Sequence, residues 1–500
     1  MTTSRPTAIH LNAADNVGVA LHALPAGDEA LGVTLRSDIP LGHKFAVAPV
    51  RKGQAVVKYG QIMAVATQDI APGDHVHTHN AAMSESHSDQ ASNKGMIHVA
   101  PERRSFMGFA RPGGRVGTRN FIGIMASVNC SSTVCNAIAT AANQHLLPRF
   151  PAIDGFAPIV HDQGCGMANA GEGFDTLVRV LKGYRDHPNF GGVLIVGLGC
   201  EVNQLTLYRR DDWTAERFGI FNIQDVGGSS SAVRRALELL EPICAAANAD
   251  VRSEQPVSGL VLGMQCGGSD GFSGITANPA LGVASDMLVA AGGTSILSET
   301  PEIYGAEHLL MARANARTGA RLHAMIDWWR DYAARNDASL DNNPSPGNKK
   351  GGLTTILEKS LGAVAKGGQS PVSGAFAYAE PITTPGLVFM DSPGYDPVAA
   401  TGQVAAGANL IAFTTGRGSC FGAKPAPSVK LASNSALFNR MHEDMDIDCG
   451  VVTDEGVSLE EMGQRIYDLL LDTASGRRSK SEEFGYGDNE FVPWKIGAVL

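Results

Sequence analysis

Nearly every strand-length apolar run of this chain beyond residue 120 ends in a residue that can do chemistry. The stretch "VLGMQCGGSDGFSGITANP", Val261 to Pro279, passes from a strand-like run into Cys266, two glycines, Ser269 and Asp270. A thiol can ligate a metal or attack an electrophile, and bare glycine backbone lets a ligand approach its amide N–H groups closely. A tight strand-to-helix turn capped by Ser269 or Asp270 is the plainer alternative. The same grammar recurs along the chain. "FIGIMAS" leads to Cys130, "GFAPIVH" to His161 and Cys165, and "GVLIVGLG" to Cys200 and Glu201. "GTSILSE" leads to Glu299 and Glu302, "GLVFMD" to Asp396, and "LIAFTTG" to Arg417 and Cys420. Cysteines serving only as core filler would be scattered over both strand ends.

A second group lies near the N-terminus, where "PGDHVHTHN" spaces His75, His77 and His79 two apart. On a strand that spacing puts all three on one face, a workable arrangement for ligating iron, manganese or zinc. His43 and Lys44 follow a turn in "PLGHKFA". A third group is cationic: Lys349, Lys350 and Lys359 in "NPSPGNKKGGLTTILEKSLG", and Arg417 between two glycines. A planar guanidinium suits bidentate capture of a carboxylate.

Three kinds of segment must position these residues. The first 80 residues alternate short apolar stretches with turn formers such as "PAGDEA" and "APGDH", which predicts a small all-β domain over 1–80. The polar stretch from Ala81 to Gly95 has no periodicity and predicts a linker over 81–103. Beyond it, strand-length apolar runs alternate with helix-period segments such as "SAVRRALELLEPICAAANA" and "EHLLMARANARTGARLHAMIDWW". That alternation predicts an α/β body with mostly parallel sheets, divided into 104–254 and 255–500. In such sheets ligands bind beyond the carboxyl ends of the strands, where the candidate residues fall.

Composition sets the outer limits. Hydrophobic residues make up 44% of 500 and charged residues 18%, a globular balance sufficient for several cores. The net charge of -10 repels a nucleic acid, so an anionic substrate must be held by local cations. No signal-peptide pattern and no long apolar run is present, which predicts a cytoplasmic protein without a membrane partner. Eight cysteines are too few for a disulfide scaffold of this length and are free for ligation.

The ordered motifs "GHKFA", "VVKYG", "HVHTHN", "GRVGTRN", "GCG", "GLGCEVNQ", "MQCGGSDGFSGITANP", "NPSPGNKKGG", "EKSLG" and "TTGRG" resemble the altronate and galactarate dehydratase family from about Ile9 to about Ser475. The resemblance implies an N-terminal SAF (β-clip) domain and an α/β catalytic body. It also implies iron(II)-dependent, or manganese-supported, dehydration of a sugar acid to a 2-keto-3-deoxy acid. On that reading His43, Lys44, His161, Glu201 and Asp270 are the catalytic candidates. Lys349, Lys350, Arg417, Ser269 and Arg119 are expected to contact the substrate. Cys165, Cys200, Cys266, His75 and His77 are expected to hold the metal, as a single ion or as an iron–sulfur cluster. The partner is a small anionic sugar acid, and a homo-oligomer is expected. The histidine triplet looks like the altronate branch, whereas "GRVGTRN" looks like the galactarate branch. Sulfolactate sulfo-lyase, which expels sulfite by the same elimination logic, also resembles the family. A non-catalytic sugar-acid binder is the remaining alternative.

Overall fold

The computed structural model describes residues 6–83, 103–210, 212 and 214–497. The expected linker therefore lies almost wholly outside the described residues. The N-terminal module is all-β, built from short antiparallel strands. One sheet joins Ala8–Ile9, Val17–Ala20, Lys44–Ala46 and His75–Val76 in that order. A second joins Ala55–Lys58, Gln61–Ala66 and Ala81–Ala82, so the module runs slightly past the expected boundary at residue 80.

The body contains two parallel sheets. The first holds β1 (Phe121–Ala126), β2 (Gly155–Ile159), β3 (Phe190–Gly197) and β4 (Phe218–Asn222) in the order β2-β1-β3-β4. Helix α1 (Asn129–His145) connects β1 to β2 and α2 (Glu172–Arg185) connects β2 to β3, while α3 (Ser229–Asn248) follows β4. The second sheet is wider. It holds β5 (Val261–Cys266), β6 (Thr294–Ser298), β7 (Val372–Phe376), β8 (Gly386–Met390), β9 (Leu410–Thr415), β10 (Ser428–Ala432) and β11 (Ile447–Asp448). Their order is β7-β8-β6-β5-β9-β10-β11. Strands β1 and β3 are buried along their whole length, as sheets covered by helices on both faces require. One apolar interior runs between the sheets, from Phe121 and Ile195 through Leu177 and Val404 to Ile411 and Phe413.

The helical run expected over Glu307–Trp329 is two helices, Glu307–Met311 and α4 (Ala316–Arg335). The break is local chemistry: the Asn315 side chain accepts from the Thr318 amide and restarts the helix as an N-cap. An antiparallel ribbon ties off the first α/β domain, with Ser105–Ala110 leading in paired to Arg252–Pro256 leading out.

The module is joined to the second sheet's domain by buried charge. Lys44 and Lys58 both ion-pair with Glu358, at 3.0 and 2.8 Å, and all three side chains are inaccessible to solvent. Glu358 sits in the first turn of α5 (Ile356–Val364), whose N-cap Thr355 also donates to the Met63 carbonyl of the module. Burial alone would push the Glu358 pKa up, but the two ammonium groups outweigh it and hold it at about 2. Burial lowers Lys44 to about 8 despite Glu358. Because Glu358 binds its proton less readily folded than unfolded, its stabilising contribution is complete above about pH 4.5 and is lost as pH falls toward 2. Glu358→Gln leaves two buried ammonium groups without a counter-charge. It should cost about 3–5 kcal/mol, read from denaturant unfolding at pH 7. An unchanged midpoint would show that the trio does not hold the module.

Candidate active site

Chain direction fixes where a ligand can enter the second sheet. From β5 the chain adds β6, β7 and β8 on one side, then returns to lay β9 against the other side of β5. Neighbouring strands whose connections leave in opposite directions open a crevice at their carboxyl ends. The segments at this switch point are Cys266–Gly271, after β5, and Gly416–Arg417, after β9. Gly268 has φ of +61°, a conformation that favours glycine, and a Cβ there would come within 3.2 Å of the Arg417 Cβ. Asp270 secures the turn. Its carboxylate accepts from the Phe272 and Ser273 amides and from the hydroxyls of Ser273 and Ser433, and Asn434 Nδ2 also donates to it.

A cleft of about 510 Å³ opens beside this turn, lined by Cys266, Gly267, Gly268, Glu302, Asn348, Lys359 and Asp396 among others. Cys266 lies 3.2 Å from Glu302 Oε2. Lys359 ion-pairs with Glu302 and donates to Asn343 Oδ1 at 2.7 Å. Ligand atoms of Cys266, Glu299 and Glu302 fall within 4.8 Å of one another, the one such set of three among the described residues. Both carboxylate oxygens of Glu299 are buried without a hydrogen-bond partner, and its φ of +72° is strained for a non-glycine residue. Burial, with Glu302 nearby, raises the Glu299 carboxyl well above its usual range. Burial would raise Glu302 as well, but Lys359 and Lys366 hold it to about 2. The Cys266 thiol is pushed up to about 12 by burial. Burial and then Glu302 lift Asp396 to about 6. A neutral thiol, and a Glu299 carboxyl that burial pushes toward its neutral form, therefore face two buried ammonium groups.

The N-terminal module reaches the same neighbourhood with four imidazoles. The His43 ring centroid lies 5.1 Å from those of both His75 and His77, and His79 is 5.4 Å from His75. His43 Nε2–H donates to the Lys350 carbonyl and His77 Nε2–H to the Lys349 carbonyl. Those bonds fix the tautomers, so His43 Nδ1 accepts from His75 Nε2–H at 3.0 Å. Burial lowers His43 to about 4 and His75 to about 3, so both rings are neutral near pH 7. Asn348, next to Lys349, donates to the Ser269 carbonyl, and Gly271 N–H donates to Gly351. The helical turn Pro346–Lys350 thus links the imidazoles to the Cys266 turn.

Three family models tile the chain. The SAF domain of altronate/galactarate dehydratases matches residues 6–84. The second domain of D-galactarate dehydratase/altronate hydrolase matches 108–248, and the C-terminal domain of D-galactarate/altronate dehydratase matches 257–499. The chain belongs to the D-galactarate/altronate dehydratase family. Altronate dehydratase of Bacillus subtilis is 36% identical over 98% of this chain and 99% of its own length. Galactarate dehydratase (L-threo-forming) of Escherichia coli is 36% identical over 96% and 95%. The (2R)-sulfolactate sulfo-lyase subunit beta of Chromohalobacter salexigens is 33% identical over 78% of this chain and 97% of its own length. The named relatives of full length are dehydratases, so the family's chemistry is that of a hydro-lyase. Among the described residues no helix is long and apolar enough to cross a membrane.

Within this dehydratase fold several expected site residues hold structure instead. Arg119 is buried with every guanidinium N–H committed, to Glu482 and to the carbonyls of Thr118, Thr473 and Arg477, which leaves none for a substrate. Both ring nitrogens of His161 are bonded to backbone, at Ala126 and Gln163, and burial takes its pKa to about 4. Glu201 accepts from Ser127 and from two amides of its own turn. Lys44 and Asp270 are bound up as described above. The expected metal set falls in three places: Cys266 with Glu299 and Glu302, His75 and His77 in the imidazole group, and Cys165 and Cys200 at the ends of β2 and β3. Arg417 and Lys350 are exposed and Lys349 is half-buried, while Ser269 is buried in the turn. Sequence reading noted Glu299, Glu302 and Asp396 at strand ends but gave them no role. Glu358 opens the quoted motif "EKSLG" but was given no role, because its partners Lys44 and Lys58 lie some three hundred residues away, and Lys366 was not singled out.

Burial and a high thiol pKa predict that Cys266 is inert in the native protein. In chelator-treated protein, iodoacetamide should label exposed Cys130, Cys165, Cys200 and Cys420 well before Cys266. Peptide mass spectrometry reads the order, and early labelling of Cys266 would contradict its placement.

Proposed function

We propose that this chain dehydrates a sugar acid of the galactarate or altronate type in the switch-point cleft, giving a 2-keto-3-deoxy acid. The observation that carries the reading is the buried donor set of Cys266, Glu299 and Glu302, with one carboxylate strained and unpartnered, facing Lys359 and Lys366. The C2–H bond breaks with its electrons entering the C2–C3 bond, and the C3 hydroxyl leaves as water. The resulting enol then tautomerises to the ketone. Charge develops first on the substrate carboxylate, so fixed cations there lower the barrier.

Lys359 and Lys366 are such cations: burial opposes their charge, and the ionised Glu302 carboxylate beside them favours it. Arg417 lies beside Gly268 at the end of β9, where its planar fork suits the substrate's carboxylate. Asp396 lines the cleft with a pKa of about 6, which suits a group that takes a proton near neutrality. Neutral His43 and His75 lie at the module's side of the same turn and buttress it through Lys350. Cys266, Glu299 and Glu302 offer thiolate and carboxylate donors fit for iron(II), with manganese as a substitute, and a bound ion would supply a Lewis acid for the developing oxyanions. Binding would displace the proton of the Cys266 thiol.

Incubation with hexonates, hexarates and sulfolactate tests the reading. We expect 2-keto acid from a hexonate or hexarate, abolished by chelation and restored by iron(II). Sulfite from sulfolactate, with no keto acid from the others, would replace the reading. Since the carboxylate form of Asp396 is the competent one, kcat/KM should rise with pH through about 6. Asp396→Asn should lower it by about a hundredfold or more and remove that limb. A limb that survives the substitution would assign the proton to another group.

A further inference from the structure

The switch-point cleft has two walls of different chemistry. The charged side chains lining it are Glu302, which follows β6, Asp396, which follows β8, and Lys359 of α5. Glu302 and Lys359 are locked together. They ion-pair, and Asn343 bridges them, donating to Glu302 Oε1 at 3.2 Å and accepting from Lys359 at 2.7 Å.

The other wall comes from one stripe of α4 and its C-cap. Trp329, Tyr332, Ala333 and Asn336 line the cleft at a spacing that puts them on one helical face. The arginines of that stretch are turned elsewhere. Arg330 pairs with Asp327 and lies over the Tyr304 ring, and Arg335 lines a neighbouring cavity with Lys495. The rings of the stripe are held in place. Trp329 Nε1–H donates to Asp391 at 2.8 Å and its ring stacks on Trp494, while Tyr332 stacks on Trp328 at 4.9 Å between centroids. Asn336 Nδ2–H donates to the Tyr332 carbonyl at 2.8 Å, which leaves Oδ1 to accept from a hydroxyl.

We propose that this cleft selects a sugar acid with one carboxylate, an aldonate, over a dicarboxylate, an aldarate, and that the α4 stripe with Asn336 makes the choice. The inference rests on the dehydration reading. Elimination across C2 and C3 sets the C1 carboxylate against Lys359 and Arg417, so C4 to C6 run toward α4. An aldonate ends there in a hydroxyl, which donates to Asn336 Oδ1 while its carbon chain lies on the fixed rings. An aldarate ends in a second carboxylate. It would give up water beside two rings and an amide, with no cation among the described residues of that wall.

The test pairs a hexonate and a hexarate of the same configuration from C2 to C5. Chelator-treated full chain is titrated with each by calorimetry, and iron-loaded protein then gives kcat/KM for both. We expect the hexonate to bind about tenfold more tightly or better and to lead in kcat/KM by a similar factor. Asn336→Arg, a change at an exposed position, should move both ratios toward the hexarate by about tenfold with circular dichroism unchanged. Equal or tighter binding of the hexarate, no binding of either acid, or a wild-type ratio in Asn336→Arg would overturn the proposal. Binding is read without turnover, so the two readings fail separately. Hexonate-selective binding without keto acid from either would sink the dehydration reading and leave the selectivity standing, whereas keto acid formed as well from the hexarate would do the reverse.

Discussion

Glu358 divides one carboxylate between two ammonium groups that arrive from another domain, in a place water does not reach. Any one of the three charges would be costly there alone, and a lysine pair without the carboxylate would repel. The arrangement is therefore indivisible. The module docks with both Lys44 and Lys58 seated, and seating Lys44 brings its neighbour His43 onto the Lys350 carbonyl. From that contact follow the order of the Pro346–Lys350 turn, its hold on the Ser269 carbonyl and the shape of the turn after Cys266. A charge group far from any reacting atom thus sets the geometry of the cleft wall.

The two sheets use the same device at different widths. In each, the chain starts a central strand, builds outward on one side and returns to build on the other. The turns on either side of that reversal are pulled apart. In the wider sheet the gap holds carboxylates, a buried thiol and lysines. In the narrower one it holds exposed thiols above a helix N-terminus. The difference is one of solvent: a buried set must balance its charges internally, as Glu302 does with Lys359, whereas an exposed set can remain unpaired.

Much of this was legible beforehand, because strand-length apolar runs and the residues after them are local signals. The seven apolar runs read from the sequence contribute strands, and Cys130, Cys165, Cys200, Cys266, Glu299, Glu302, Asp396 and Arg417 follow them as read. Strands β4 and β7 mix half-buried positions with glycine, β10 carries a lysine at its centre and β11 is two residues long, so none of the four stood out in the sequence. Long-range pairing was the other blind spot. Arg119 sits in a motif that looks ready for an anion, yet its partner Glu482 lies over three hundred residues away. His161 has the right strand end, but its ring is turned inward onto backbone. Type and position in sequence tell where a side chain starts, and only packing tells what it is already bonded to.

The antiparallel ribbon at the neck of the first α/β domain has a mechanical meaning. Its five paired positions run from Ser105 opposite Pro256 to Phe109 opposite Arg252. Tension along the backbone between the module and the second sheet crosses directly from Ser105 to Pro256. The domain between them, with its sheet and its three exposed thiols, hangs as a side loop outside the load path. Because the pull is applied at one end of the ladder, its rungs would break in succession rather than all at once. The neck acts as a strain relief that must open before stretching reaches β1.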